Sequence, residues 1–149
     1  MRAVVQRVSR SKVTVNGELI GEIGKGLLVL LGVTHDDDNN DAEYLVDKIA
    51  GLRIFDDGDG KMNLSLADID GELLVVSQFT LYADTKRGRR PSFMEATKGD
   101  DALRWYKYFI VKAKGSVRKV EHGAFGEMMD VELINDGPVT IILDSKKTF

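Results

Sequence analysis

Three Val- and Leu-rich segments, residues 3–15, 19–23 and 27–33, follow one another with little but Asn16-Gly17 and Gly24-Lys25-Gly26 between them. Connections this short join only antiparallel neighbours, because a parallel pair needs a crossover of a dozen residues or more. Asn-Gly also supplies the positive backbone angles of a tight hairpin turn. The chain therefore opens as a strand meander. Its third segment is apolar without alternation, the pattern of a strand buried on both faces.

The rest of the chain extends this pattern without repeating it. Residues 34–39 offer several N-cap oxygens, and Ala42, Leu45, Val46, Ile49 and Ala50 then recur at helical spacing. A short strand at 53–55 runs into the turn-rich Asp56-Asp57-Gly58-Asp59-Gly60, and the apolar strand Leu73-Leu74-Val75-Val76 delivers Ser77 and Gln78. Residues 83–91 are polar and basic, an exposed loop with the makings of a lid. Leu103, Tyr106, Phe109, Ile110 and Ala113 mark a second helix ended by Gly115, with Trp105 and Tyr108 off its stripe and expected to face a partner subunit. Strands at 117–120, 129–133 and 139–143 follow, the last two separated by Gly137-Pro138. About eight strands and two helices without linker or strand-helix alternation predict one α+β domain over residues 1–149, built on a curved antiparallel sheet or barrel-like core.

Composition removes several classes of function. With no cysteine there are no disulfide staples and no thiolate metal sites, which suits a reducing cytosol. The first residues lack the pattern of a secretory signal, and the longest apolar run is too short to span a bilayer, so a cytoplasmic protein without membrane contact is expected. A net charge of -3 excludes coating of long nucleic acid by bulk attraction. Any RNA contact must be local, and Lys86-Arg87-Gly88-Arg89-Arg90 gathers four of the 21 basic residues in five positions. That run reads equally as a solvated loop.

Among motifs, the acidic run at 56–60 fails the calcium-loop spacing: with Gly60 in the glycine slot, Phe55 and Leu66 occupy ligand positions. It reads as a solvated turn. Two histidines, His35 and His122, are too few for a histidine metal cluster; carboxylates could still bind magnesium through substrate phosphates, but no essential metal or cofactor is predicted. Ser77-Gln78-Phe79-Thr80-Leu81 ends an apolar strand on hydroxyl and amide groups that must be hydrogen-bonded or face a cleft; capping of the next turn competes with catalysis, and His122 is a minor candidate as base. Asn135-Asp136-Gly137-Pro138-Val139-Thr140 carries one of only two prolines and reads as either an ordinary hairpin turn or a cis peptide.

Read in order, these segments, together with Met1-Arg2-Ala3-Val4-Val5-Gln6-Arg7-Val8, Gly26-Leu27-Leu28-Val29-Leu30-Leu31-Gly32-Val33, Leu52-Arg53-Ile54-Phe55, Gly60-Lys61-Met62-Asn63 and Arg90-Pro91-Ser92-Phe93, resemble the D-aminoacyl-tRNA deacylases, formerly called D-tyrosyl-tRNA deacylases, nearly end to end. The resemblance implies a homodimer that hydrolyses the ester of D-aminoacyl-tRNA, and of mischarged glycyl-tRNA. Each site would receive Gly137 and Pro138 of the other subunit, in cis, as the chiral gate. It further implies that Ser77, Gln78, Phe79 and Thr80 line the ester pocket, that Phe125 and Met129 help to hold the terminal adenosine, and that Arg7 supports the Gly-Pro segment. Thr80 is the candidate side-chain nucleophile, while the family pattern lets the vicinal 2′-hydroxyl of the RNA assist instead. Two departures stand out. Similar proteins carry Thr-Gly where this chain has His122-Gly123, which weakens His122 as a base, and a Lys-Gly-Asn-Arg-like run where it has Arg87-Gly88-Arg89-Arg90. A non-catalytic nucleic-acid-binding module, or a proofreading module of a larger assembly, are the competing readings.

Overall fold

The computed structural model describes all 149 residues. A 14-residue strand, β1 (Arg2–Val15), organises the sheet. Its first half pairs antiparallel with β3 (Gly26–Gly32) and its second half with β2 (Glu18–Ile23), as the short turns require. Along its other edge runs β8 (Asp130–Asp144), also antiparallel. Beyond β3 come β6 (Glu72–Ser77) and β7 (Lys119–His122), both added parallel. The sheet curls until β2 and β7 approach each other at Gly21 and His122, nearly closing a barrel.

The all-antiparallel expectation is corrected here: the sheet is mixed. Helix α1 (Asn39–Gly51) lies in the crossover from β3 to β6, and α2 (Gly99–Lys114) in that from β6 to β7. Strand-helix alternation does exist. It is hidden in the sequence by a small hairpin, β4 (Phe55–Asp56) with β5 (Met62–Leu64), inserted in one crossover and by the long loop in the other. Both helices lie against one face of the sheet, where Leu45, Ile49, Phe109 and Ala113 join Val5, Leu27, Val29 and Val75 in the main core. A smaller cluster inside the curl packs Val8, Val13, Ile23, Leu28, Leu74 and Val76. Asp38 caps α1 in a reciprocal box with Asp41, and Gly115 ends α2 as read from the sequence. Tyr108 turns towards α1, not outward: its hydroxyl donates to Glu43 Oε1 at 2.7 Å, and Trp105 packs edge-on against it.

A second correction concerns the C-terminal segment. Residues 130–144 form one strand, not two, because both halves pair with β1. Asn135 lies opposite Val8 and Thr140 opposite Gln6, so residues 136–139 are extruded from the ladder above Arg7. The acidic run at 56–60 is a solvated turn, held by Asp57, whose carboxylate accepts from the backbone of Asp59 and Lys61 and from the Asn63 side chain.

Candidate functional site

Strand β6 is apolar because it is covered on both faces, and Ser77 is where that cover ends. The chain then turns through a single 3-10 turn, Phe79–Tyr82. The Gln78 N–H donates to the Leu31 carbonyl at 2.7 Å, and the Gln78 carbonyl accepts from Leu81, so the turn is fixed to the end of β3. As the leading residues of that turn, Phe79 and Thr80 have N–H groups for which the turn itself offers no acceptor.

Beside this turn lies a cleft of about 340 Å³ walled by Ser77, Gln78, Phe79, Leu31, Tyr106 and Phe125, with Thr97, Lys98 and Gly99 at its border. The amino end of α2 has no side-chain cap; the Lys98 ammonium precedes it and Asp100 and Asp101 occupy its first turn. Tyr106 is a wall, not an acid: burial pushes its phenol up, and the hydroxyl donates to the Val75 carbonyl at 2.9 Å. Its ring meets that of Phe125 at 5.7 Å between centroids. Phe79 is half exposed and stacks edge-on against Phe93 at 5.2 Å.

The structure thus brings Ser77, Gln78, Phe79 and Phe125 together. Thr80 sits just outside the cleft wall, exposed, its hydroxyl accepting from Gln78 Nε2 at 2.5 Å. Met129 packs behind Gly123 against the smaller core. The His122 ring faces its own neighbour, the Gly123 carbonyl, at 2.8 Å, and lines a neighbouring apolar groove with Val111 and Ile110, on the other side of Tyr106 and Phe125 from the cleft they also wall. It meets neither Ser77 nor Thr80. No group of three or more His, Asp or Glu side chains is arranged to hold a metal ion. The part that sequence reading missed is the α2 side of the cleft, for which Lys98-Gly99 followed by Asp100-Asp101, a helix start, was the available signal.

Arg7, Gly137 and Pro138 form a second constellation that shares no lining residue with the cleft. Arg7 is 6% exposed although charged. Its guanidinium donates to the carbonyls of Asp136 and Ile54 at 3.1 and 2.7 Å, and pairs with the Asp136 and Asp56 carboxylates at 3.4 and 3.6 Å. Asn135 braces the far side, accepting from the Val139 N–H at 3.0 Å and donating to Thr140 Oγ1 at 3.1 Å. Between these anchors the Gly137-Pro138 peptide bond is cis and both residues are exposed. Gly137 has φ +127°, and a Cβ there would stand 2.9 Å from the Arg7 guanidinium.

Fold and cleft together define the class: a small α+β protein with a nearly closed mixed sheet, its cleft entered past the end of a buried strand. Within that class the chain belongs to the D-Tyr-tRNA(Tyr) deacylase family, which matches over residues 4–144. It is 62% identical to a D-aminoacyl-tRNA deacylase of Clostridioides difficile (strain 630) and 60% identical to one of Thermosipho melanesiensis, in both cases over all of this chain and all of the relative. Among solved structures it resembles the c-Myc DNA Unwinding Element Binding Protein, with TM-score 0.92 and 43% identity over 97% of this chain and 98% of that one. A probable eukaryotic D-amino acid tRNA deacylase, 17% identical, shares the fold with TM-score 0.83 over 96% of this chain and 98% of its own.

Proposed function

We propose that this chain hydrolyses the ester between a D-amino acid and the 3′ end of tRNA, in the cytoplasm, and spares the L-aminoacyl ester. The observation that carries this is an apolar cleft lined by Ser77, Gln78 and Phe79 where a 3-10 turn begins whose leading N–H groups, Phe79 and Thr80, have no acceptor within the turn. Donors fixed in advance where a carbonyl oxygen gains negative charge stabilise the transition state without reorganisation. Water attacks the ester carbon, the bond to the ribose oxygen breaks, and that oxygen departs with a proton as the ribose hydroxyl. No cofactor enters these steps.

Thr80 lacks the partner that an attacking hydroxyl needs. A hydroxyl nucleophile needs a base to take its proton, and the one side-chain partner of Thr80 is a donor, the Gln78 amide. The vicinal 2′-hydroxyl of the substrate, held beside the ester by covalent structure, supplies the proximity that no side chain here provides. Ser77, Gln78 and Phe79 then serve as pocket wall, and Phe125, with Met129 behind it, as support for the terminal adenosine.

Selectivity is assigned to Gly137 and Pro138 acting in the cleft of a second copy. What supports this is their projection on an extruded segment anchored by Arg7 and Asn135, apart from the cleft of their own chain. Strand β8 carries the segment along an edge with no partner on its outer side, where Ile134 and Ile142 are exposed. Such an edge favours pairing with a second copy. A rigid backbone gate rejects an L side chain by exclusion and admits glycine, which extends the substrates to mischarged glycyl-tRNA.

The deciding experiment is deacylation of D-Tyr-tRNA and L-Tyr-tRNA by the purified protein. Rapid loss of the D ester alone is expected; equal or absent hydrolysis of both sinks the proposal. A second reading, DNA binding without catalysis, is favoured by the likeness to the c-Myc DNA Unwinding Element Binding Protein. It requires salt-dependent DNA affinity with no hydrolysis.

A further inference from the structure

We propose that the loop of residues 85–91 is a clamp for the phosphate backbone of the RNA substrate, an inference that rests on the ester-hydrolase reading above. Lys86, Arg87, Arg89 and Arg90 are all exposed and none forms an ion pair; exposed Lys25, Lys61 and Lys114 are unpaired too, so what sets these four apart is their concentration in five positions. In a chain of net charge -3, four cations without ion pairs in five positions repel one another, and Asp84 at the loop's base is the one carboxylate hydrogen-bonded to it. A polyanion offsets that repulsion.

The loop is nevertheless not a loose tail. Its ends are tied by reciprocal hydrogen bonds between Asp84 and Ser92, at 2.8 and 2.9 Å, and the Asp84 carboxylate accepts the Lys86 N–H at 2.9 Å. Gly88, at φ +64°, makes the bend at the tip. Both ends also belong to the candidate site. The loop leaves directly from the 3-10 turn Phe79–Tyr82, and it returns to Phe93, whose ring packs on Phe79. The loop thus adjoins the cleft wall through Phe93 on Phe79, while Lys86 at its start lines a neighbouring recess with Asp84 and Glu95. The phosphodiesters joining the last nucleotides must leave the cleft over the surrounding surface, and this loop is the stretch beside it that carries concentrated opposite charge. Guanidinium groups match phosphate oxygens in pairs, and contacts of this kind hold the backbone without reading sequence.

The test uses the full chain carrying R87E, R89E and R90E together, with the milder R87Q, R89Q, R90Q set beside it. Fluorescence anisotropy measures binding of uncharged tRNA across a KCl series. Affinity is expected to fall at least tenfold for the Glu set and less for the Gln set, and the slope of log affinity against log salt to decrease by roughly 2 to 3, since each lost phosphate contact removes about 0.7 to 0.9. In hydrolysis, the preference for D-Tyr-tRNA over D-tyrosyl-adenosine, which has no phosphate, is expected to shrink at least tenfold. Unchanged tRNA affinity and slope overturn the clamp. So does an equal loss on both esters, which makes the loop part of the cleft wall, and so does duplex DNA binding as tight as tRNA binding in the unaltered protein. Anisotropy needs no turnover, so a protein that hydrolysed neither ester removes the hydrolase reading while the clamp still stands or falls on binding.

Discussion

Arg7 holds Asp136 across 129 residues of sequence: its guanidinium Nε donates to the Asp136 carbonyl at 3.1 Å while the same group donates to Ile54 at 2.7 Å. Truncation by Arg7→Ala leaves two carbonyls and a buried space unfilled. Loss of a buried charged hydrogen-bonding group costs about 3 kcal/mol, so urea denaturation is expected to show a marked drop in midpoint. If Gly137 and Pro138 select the substrate, the D-over-L ratio falls as well, measured at a temperature where the variant is folded. A variant with wild-type stability and ratio contradicts the anchoring role.

Thr80→Ala tests whether the hydroxyl attacks. The expected result is hydrolysis of D-Tyr-tRNA within about tenfold of the unaltered protein, since only a neutral hydrogen bond from Gln78 is lost. A loss of a thousandfold or more, with the fold and tRNA binding intact, assigns the chemistry to the side chain.

Asp41 sets an acid limit. Burial opposes its charge, but hydrogen bonds from Ser145, the Asp38 N–H and Lys146 outweigh that and hold its pKa at about 2. Because the folded value lies below the ordinary 3.8, its stabilisation is complete above about pH 4 and lost as pH falls towards 2. A shift of that size corresponds to about 2 kcal/mol. Asp37 works the other way, since burial raises its pKa. Asp41→Asn is therefore expected to lower stability at pH 7 by about that amount, with the gap to the unaltered protein narrowing at pH 2.5. Denaturation curves at the two pH values check it.

Gly26 faces the first residue of β6 so closely that a Cβ would fall 1.8 Å from the Glu72 carbonyl oxygen. Backbone, not a movable side chain, fills the space. Gly26→Ala must separate β3 from β6, and a loss above about 3 kcal/mol, or no folded protein, is expected from overpacking of this severity. Circular dichroism and thermal melting decide it.

The β8 edge gives a prediction about assembly. Ile134 and Ile142 are 45% and 57% exposed on a strand with no outer partner. If a second copy covers them, sedimentation shows a dimer for the unaltered protein, and Ile134→Lys with Ile142→Lys shifts it to monomer at micromolar concentration. A protein that sediments as a monomer before any substitution removes the cross-subunit gate.

Much of this was legible in the sequence for local reasons. The meander over residues 2–32 follows from turn length, and α1 and α2 follow from apolar spacing with Asp38 and Gly115 at their ends. The parallel placement of β6 and β7 was not legible, because an apolar strand reads the same in either direction and only the crossover fixes it. Continuity of β8 was hidden for a related reason: Gly137-Pro138 looks like a break until both flanks are seen pairing with β1. The cleft was half visible. Ser77 and Gln78 announced themselves as polar groups ending an apolar strand, whereas Lys98 and Gly99 reach it only through the packing of α2.

The pairing of β1 with β8 joins the start of the fold to its end. Closing so long a span delays contact formation, and no nearby segment substitutes for β8 on that edge of β1. During synthesis β1 therefore waits with one edge bare until residue 130 and those after it leave the ribosome. Any product cut short before that point retains an open strand edge, the feature that drives aggregation and attracts proteolysis. The sheet is completed only once β8 itself has been made.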